Sequence, residues 1–385
     1  MSIRGLNLGS WLLMEGYILG GRNISESAFK NEFKKANNAK ELEKFQEFFR
    51  SSYITENDFK LISSWGCNTL RIPFHYSIVE SSAYKYSTSD IDYLKSAVHW
   101  AYKYNLKVIL DLHAAVGSQS GDWHADSSGK YEFFSKAQNR DRMVKLWEYL
   151  SWVFKDSPAI CGYDLLNEPA SGKSVIKPLR DFYKKAISAI RKNDQKHLIF
   201  IQGVNWAQDI DFLADFSGEN IQASIHFYQP IDFTFNLIRN LKYPGKAPKV
   251  FWNKSKIRRH LKKYSLFSKK YSMDIYVGEF GINSRSGFFG EYQWLRDVID
   301  IFEEFNFGWT YWTYKSVKRE VFPDGITQYC FNPLWVRREG PVYGWENLYS
   351  LWESHKKDII SSWKTDYFCL DKKLLEELKY FFRLK

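Results

Sequence analysis

The sequence predicts an α/β fold, a (β/α)8 TIM barrel with elaborated βα loops at the C-terminal face of its strands. Three observations carry that prediction. Eight short apolar runs punctuate the 385 residues from end to end. Segments with a 3.6-residue apolar period separate most of them, and regular alternation of strand with helix belongs to parallel sheet. The Gly-rich phosphate loop expected of a doubly wound sheet is missing, which leaves the closed barrel as the architecture for eight such units.

The predicted strands are Ile3–Leu8, Cys67–Ile72, Lys107–Leu112, Ile160–Leu166, His197–Ile201, Ile221–His226, Ile275–Glu279 and Gly308–Trp312. The periodic segments between them include Asp90–Tyr104, Arg140–Phe154, Lys177–Arg191 and Glu291–Phe305. Thr55 with Asp58 three residues later forms a capping-box pattern that opens a helix before strand two. Three connections are long: Gly9 to about Phe49, Tyr228 to about Trp252, and Lys315 to about Tyr343. All three leave the C-terminal ends of strands, where such barrels place their chemistry, and loops there wall a pocket or cleft. No repeat, linker or low-complexity tract interrupts the pattern, so residues 1–385 read as a single catalytic barrel.

Composition narrows the partners. Hydrophobic residues make up 44% and charged residues 26%, enough for a large core and too little bias for disorder. The 15 Trp exceed what a core demands, and an exposed indole suits the flat C–H face of a sugar ring. The net charge of +11 could signal nucleic acid. Its densest run, Lys254, Lys256, Arg258, Arg259, Lys262, Lys263, Lys269 and Lys270, instead reads as the solvated face of a helix. No nucleic-acid motif accompanies it, and nucleic acid is not an expected partner. The four cysteines have neither metal-site nor CxxC spacing, so no metal and no cofactor is expected. Cys67 and Cys161 read as buried thiols, and a Cys330–Cys369 disulfide stays open. No apolar run reaches the roughly 18 residues of a membrane span. No signal-peptide pattern opens the chain, which leaves both a cytoplasmic location and a removed signal open.

What ends each strand is more telling. Strand two ends in Arg71, strand three in Asp111-Leu112-His113, strand four in Asn167-Glu168-Pro169, strand six in His226-Phe227-Tyr228, strand seven in Glu279 and strand eight in Trp312. Singly, each has a plain structural explanation: a surface carboxylate, a satisfied imidazole, an ion pair at the barrel bottom. Together they bring a cation, two imidazoles, an amide, a phenol, an indole and two carboxylates to one mouth. Glycosidic bond cleavage needs two carboxyl groups flanking the bond, one protonated and one ionised. Arg71 would keep one of them ionised, and Tyr228 could donate to the same group. Asn167 would reach a sugar 2-hydroxyl, and His113 and His226 would hold hydroxyls or orient the acid.

The segments Arg71-Ile72-Pro73, Asp111-Leu112-His113, Leu166-Asn167-Glu168-Pro169, His226-Phe227-Tyr228, Gly278-Glu279-Phe280-Gly281 and Trp312-Thr313-Tyr314-Lys315 follow one another on the expected strands. In them the sequence resembles glycoside hydrolase family 5 of the clan A barrels. The resemblance implies a retaining β-glycoside hydrolase acting on a β-linked oligo- or polysaccharide, with Glu168 as acid/base and Glu279 as nucleophile. It also implies that Arg71, His113, Asn167, His226, Tyr228 and Trp312 line the subsite of the reacting sugar.

Arg4-Gly5-Leu6-Asn7-Leu8-Gly9-Ser10-Trp11-Leu12, followed by Glu15, is similar to the start of the exo-β-1,3-glucanases. That implies Glu15 holds hydroxyls of a terminal glucose. Asp126-Ser127-Ser128-Gly129 departs from the Asp-Asn-Ser-Gly of that branch, and His75-Tyr76-Ser77 lacks its aromatic pair. Trp123, Trp206 and Trp335 are further stacking candidates on loops. The alternatives are an endo-β-1,4-glucanase or mannanase, a β-glucosyl-lipid hydrolase, and an inactive carbohydrate-binding barrel. The sequence specifies no oligomeric state.

Overall fold

The computed structural model of the chain describes residues 2–329 and 348–384. Its centre is a closed barrel of eight parallel strands: β1 (Arg4–Asn7), β2 (Thr69–His75), β3 (Lys107–Ala114), β4 (Ile160–Asp164), β5 (Leu198–Gln202), β6 (Ile221–His226), β7 (Ile275–Phe280) and β8 (Gly308–Tyr311). β1 closes the ring on β8, with Arg4 opposite Trp309 and Leu6 opposite Tyr311. Around it run α1 (Glu26–Ala36), α2 (Ala39–Tyr53), α3 (Glu56–Ser64), α4 (Ile91–Lys103), α5 (Ala137–Phe154), α6 (Lys173–Arg191), α7 (Lys254–Tyr271), α8 (Glu291–Glu304), α9 (Leu348–Ser362) and α10 (Lys372–Phe382). Among the described residues no helix is long and apolar enough to cross a membrane.

All eight predicted strands are barrel strands, and their ends move for local reasons. β2 runs on to His75 because the chain leaving β1 folds back beside it: Leu12 bridges Phe74, and the His75 N–H donates to Leu12 O at 2.9 Å. β4 stops at Asp164, short of Leu166, because the chain then turns at Glu168, whose φ is 42°. The Asp58 carboxylate accepts from the Thr55 N–H at 2.7 Å, so the expected capping box opens α3.

The first long connection is not a loop. Ser25 and Asn38 cap α1 and α2, whose Phe29, Phe33, Leu42, Phe45 and Phe49 point inward at helical spacing. They pack against Trp352 of α9 and the following Trp363. The connection after β6 carries a short helical turn (Ile231–Thr234) and a hairpin (Gly245–Ala247 with Val250–Trp252). The connection after β8 begins as Lys315–Val317, paired with Thr327–Tyr329.

The basic run lies on α7, which buries Ile257, Leu261, Tyr264 and Phe267. Its cations face outward, and Lys254 and Arg258 pair with Asp300 and Glu304 of α8. Cys67 is buried as expected. Cys161 is only half-buried, because it sits beside Leu198 at the edge of the cluster that plugs the barrel bottom (Ile3, Ile109, Phe200, Tyr276). Cys330, and with it the open disulfide, lies outside the described residues, as does Trp335.

Candidate active site

Above that plug the barrel interior turns polar. Arg71 projects from β2 with no exposed surface, and its guanidinium is the hub of the floor. It donates to Asp164 Oδ2 at 3.0 Å, Asn7 Oδ1 at 3.1 Å, Asn167 Oδ1 at 2.9 Å and Glu279 Oε1 at 2.8 Å, and it pairs with Asp111 Oδ1 at 3.0 Å. Five partners fix a planar fork that a lysine could not replace. Burial lifts the carboxyl of Asp111 to about 7 and that of Asp164 to about 6 against the pull of Arg71. Removing one member of a buried ion cluster costs about 3–5 kcal/mol, so the floor is rigid.

On this floor stand the two carboxylates. Glu279 accepts from Arg71 on Oε1 at 2.8 Å and from the Tyr228 hydroxyl on Oε2 at 3.0 Å, so both of its oxygens are held by donors. Glu168 has a different shell. Its Oε1 lies 2.7 Å from His226 Nδ1, and its backbone N–H donates to Gln202 Oε1 at 2.8 Å. The Gln202 bond holds Glu168 in a left-handed conformation, an uncommon one for a residue with a side chain. Burial raises the Glu168 carboxyl above its ordinary range, with His124 pulling it back. Burial pushes His226 down to about 4, so a neutral ring donates its Nδ1–H to Glu168.

One oxygen of Glu168, one of Glu279 and a His226 ring nitrogen all lie within 4.8 Å of one another. A cation seeking those three donors would have to displace hydrogen bonds they already make.

The carboxylates open into a cavity of about 320 Å³. Of the candidates read from sequence, Glu15, His113, Trp123, Glu168, Trp206, His226, Tyr228, Glu279 and Trp312 line it. Arg71 and Asn167 do not: they stand one layer deeper, fully buried, holding the lining from behind. His113 receives its orientation there. Its Nδ1 is 2.6 Å from Asp111, its Nε2 faces the Asn167 amide at 3.3 Å, and its ring stacks on Trp312 with centroids 5.6 Å apart. The Trp312 indole donates to the Tyr17 hydroxyl. Glu15 is buried with Oε1 unpartnered, and burial raises its carboxyl to about 8.

Contacts between loops tie this face of the barrel together. Asp126 accepts from the Ser27 N–H at 2.7 Å and contacts His75 Nε2 at 3.1 Å, tying the connections after β1 and β3 to the end of β2. Trp123 meets Phe322 edge to face, with centroids 6.0 Å apart, which joins the loop after β3 to the one after β8.

A family model described as Cellulase (glycosyl hydrolase family 5) matches residues 28–318. The chain belongs to glycosyl hydrolase family 5. It is 28% identical to a β-xylosidase of Phanerodontia chrysosporium over 82% of its own length and 67% of that protein. It is 27% identical to endoglucanase C of Acetivibrio thermocellus over 70% of its length and 87% of the relative. With a glucan 1,3-β-glucosidase of Pichia angusta it shares 31% identity, over 51% of this chain and 47% of the other.

The cavity of this family 5 glycoside hydrolase is also lined by residues that the strand ends do not reveal. Tyr17, Asp122, His124, Phe235 and Phe322 all line the cavity from loops, where no periodicity marks them. Asp164 was open to detection, as a lone carboxylate inside the apolar run of β4.

Proposed function

We propose that the protein is a retaining β-glucan hydrolase of exo action, with Glu168 as acid/base and Glu279 as nucleophile. The observation that carries the reading is the asymmetric carboxylate pair. One oxygen of each lies within 4.8 Å of the other, close to the roughly 5–5.5 Å carboxyl spacing of retaining enzymes and short of the roughly 6.5 Å or more that inverting ones need for a water. In the first step Glu168 gives its proton to the glycosidic oxygen while Glu279 attacks the anomeric carbon, forming an ester and freeing the leaving group. In the second, Glu168, now a carboxylate, takes a proton from water as that water attacks the same carbon and releases Glu279.

Arg71 and Tyr228 hold the two Glu279 oxygens in place for attack. Burial raises the Glu168 carboxyl, which favours the protonated form that a general acid needs. Exo action is supported by Glu15, which lines the cavity with an unpartnered carboxyl oxygen, and by the Trp123–Phe322 contact that joins two of its lining loops. The exo-β-1,3-glucanase-like segments and the relative from Pichia angusta favour a β-1,3-glucan. Proton NMR of laminari-oligosaccharide hydrolysis should show the β-anomer first; an α-anomer first would refute the double displacement. Glu168→Ala should lose about 10²–10⁴-fold in rate on poor leaving groups and regain part of it with azide on aryl β-glucosides.

A second reading rests on the apolar rim of the cavity. Trp206 and Ile231 there are 46% and 39% exposed, with Phe235, Phe322 and Pro323 beside them. Such an apolar rim favours a β-glucoside with an apolar aglycone, and faster turnover of a glucosyl lipid than of laminarin would select it.

A further inference from the structure

His124 lies in the loop after β3, its side chain only 12% exposed, and none of the family motifs includes it. Its Nε2 sits between two carboxylates: 3.4 Å from Glu168 Oε2 and 3.6 Å from Asp122 Oδ2. Asp122 is itself fixed, since the Trp206 indole donates to its Oδ2 at 3.0 Å. On the opposite side of Glu168, His226 occupies Oε1, so each oxygen of this carboxyl faces one imidazole.

The two imidazoles differ in kind. His226 is surrounded by the Arg71 cluster and fully buried. His124 is faced by Asp122 from its own loop, Glu168 from the end of β4 and Glu15 from the connection after β1. His113, its nearest basic neighbour, has its ring centroid 5.9 Å away and is kept neutral by burial. Burial works against a charge on His124, yet Asp122, Glu168 and Glu15 together lift it to about 9. The nearby His124 ring in turn holds the Asp122 carboxyl down at about 2.

The geometry points to His124 as a positioning residue for Glu168: an imidazolium pinned by Asp122 that orients the acid/base carboxyl and favours the carboxylate form needed to activate water. This rests on the reading of Glu168 as acid/base. While Glu168 carries its proton, the His124 charge is balanced by Asp122. Once that proton has gone to the leaving group, Nε2 has a second carboxylate within reach, and the same N–H serves either partner by a small ring rotation. The covalent intermediate is therefore the state His124 supports most. Trp206, at the exposed rim of the cavity, donates to Asp122 and so ties that rim to the acid.

The test is the pH profile of kcat/KM on an aryl β-glucoside for wild type and His124→Gln. Removing a cation beside Glu168 raises the pH at which it loses its proton, so the alkaline limb should move up by about one pH unit. An unmoved limb, or one moved down, overturns the proposal. Nitrogen-15 NMR of the wild-type protein at pH 7 gives a second readout that does not depend on the variant folding. Both His124 nitrogens should be protonated, and a neutral ring overturns the proposal. Azide rescue of Glu168→Ala separates the two levels. Without rescue the reading of Glu168 itself fails; with rescue and an unmoved limb, only the role of His124 does.

Discussion

A Cβ added to Gly278 on β7 would come within 2.9 Å of Ser224 Oγ and 3.1 Å of His226 Nε2, closer than packed atoms sit. Gly278→Ala should push His226 off Glu168, and displacements of this size cost about 10²-fold in rate. A fall in kcat with an unchanged melting curve is the expected result. Glu15 offers a pH test. Its folded-state carboxyl ionises near 8 and its unfolded one near 4.3, so between those values the folded chain holds a proton the unfolded chain has lost. That contribution is complete below about pH 4 and fades as pH rises to 8. Glu15→Gln removes it, so the variant should gain on wild type by up to about 1 kcal/mol per pH unit across that window, measured by urea unfolding. At this scale the sequence was informative wherever a residue ends a strand, because the alternation of β-structure fixes where its side chain goes. It was silent on His124 and Tyr17, whose loops obey no period.

Among the elements, α1 and α2 show where local pattern fails. Their apolar stripe is narrow, set among Lys30, Glu32, Lys34 and Lys35, and what buries it is Trp352 and Trp363, some three hundred residues downstream. No window of sequence contains both halves of that contact. Phe45 sits at its centre, fully buried, with ring centroids 5.1 Å from Trp352 and 5.2 Å from Trp363. Phe45→Ala should cost about 3–5 kcal/mol in denaturant unfolding while kcat at low temperature stays near wild type. The barrel strands were easier to read, because each is short, apolar and bounded, and a strand covered on both faces needs no alternation to be recognised. Only their ends shifted, by one to three residues, and at β2 and β4 a neighbouring segment or a left-handed turn decided the stop.

The whole molecule adds what neither residues nor elements contain, the shape of the cavity. Convergence of strand ends on one mouth was legible from topology. The bar formed by Trp123 and Phe322, and the knot of Ser27, Asp126 and His75, were not, since each joins loops from different strands. If that wall enforces exo action, Trp123→Ala should let a glucan chain pass. Product chromatography should then show longer oligosaccharides at the expense of glucose, whereas an unchanged profile would place the barrier elsewhere.

The Arg71 hub carries a last implication. Its partners come from β1, β3, β4 and β7 and from the turn after β4, while Arg71 itself belongs to β2. No half-barrel contains that set. A fragment or a nascent chain lacking β7 would bury a guanidinium without its full complement of anions, and would lack Glu279 itself. The last strands to leave the ribosome thus complete the fold and arm the chemistry in a single event, and an incomplete copy of this protein is silent by construction.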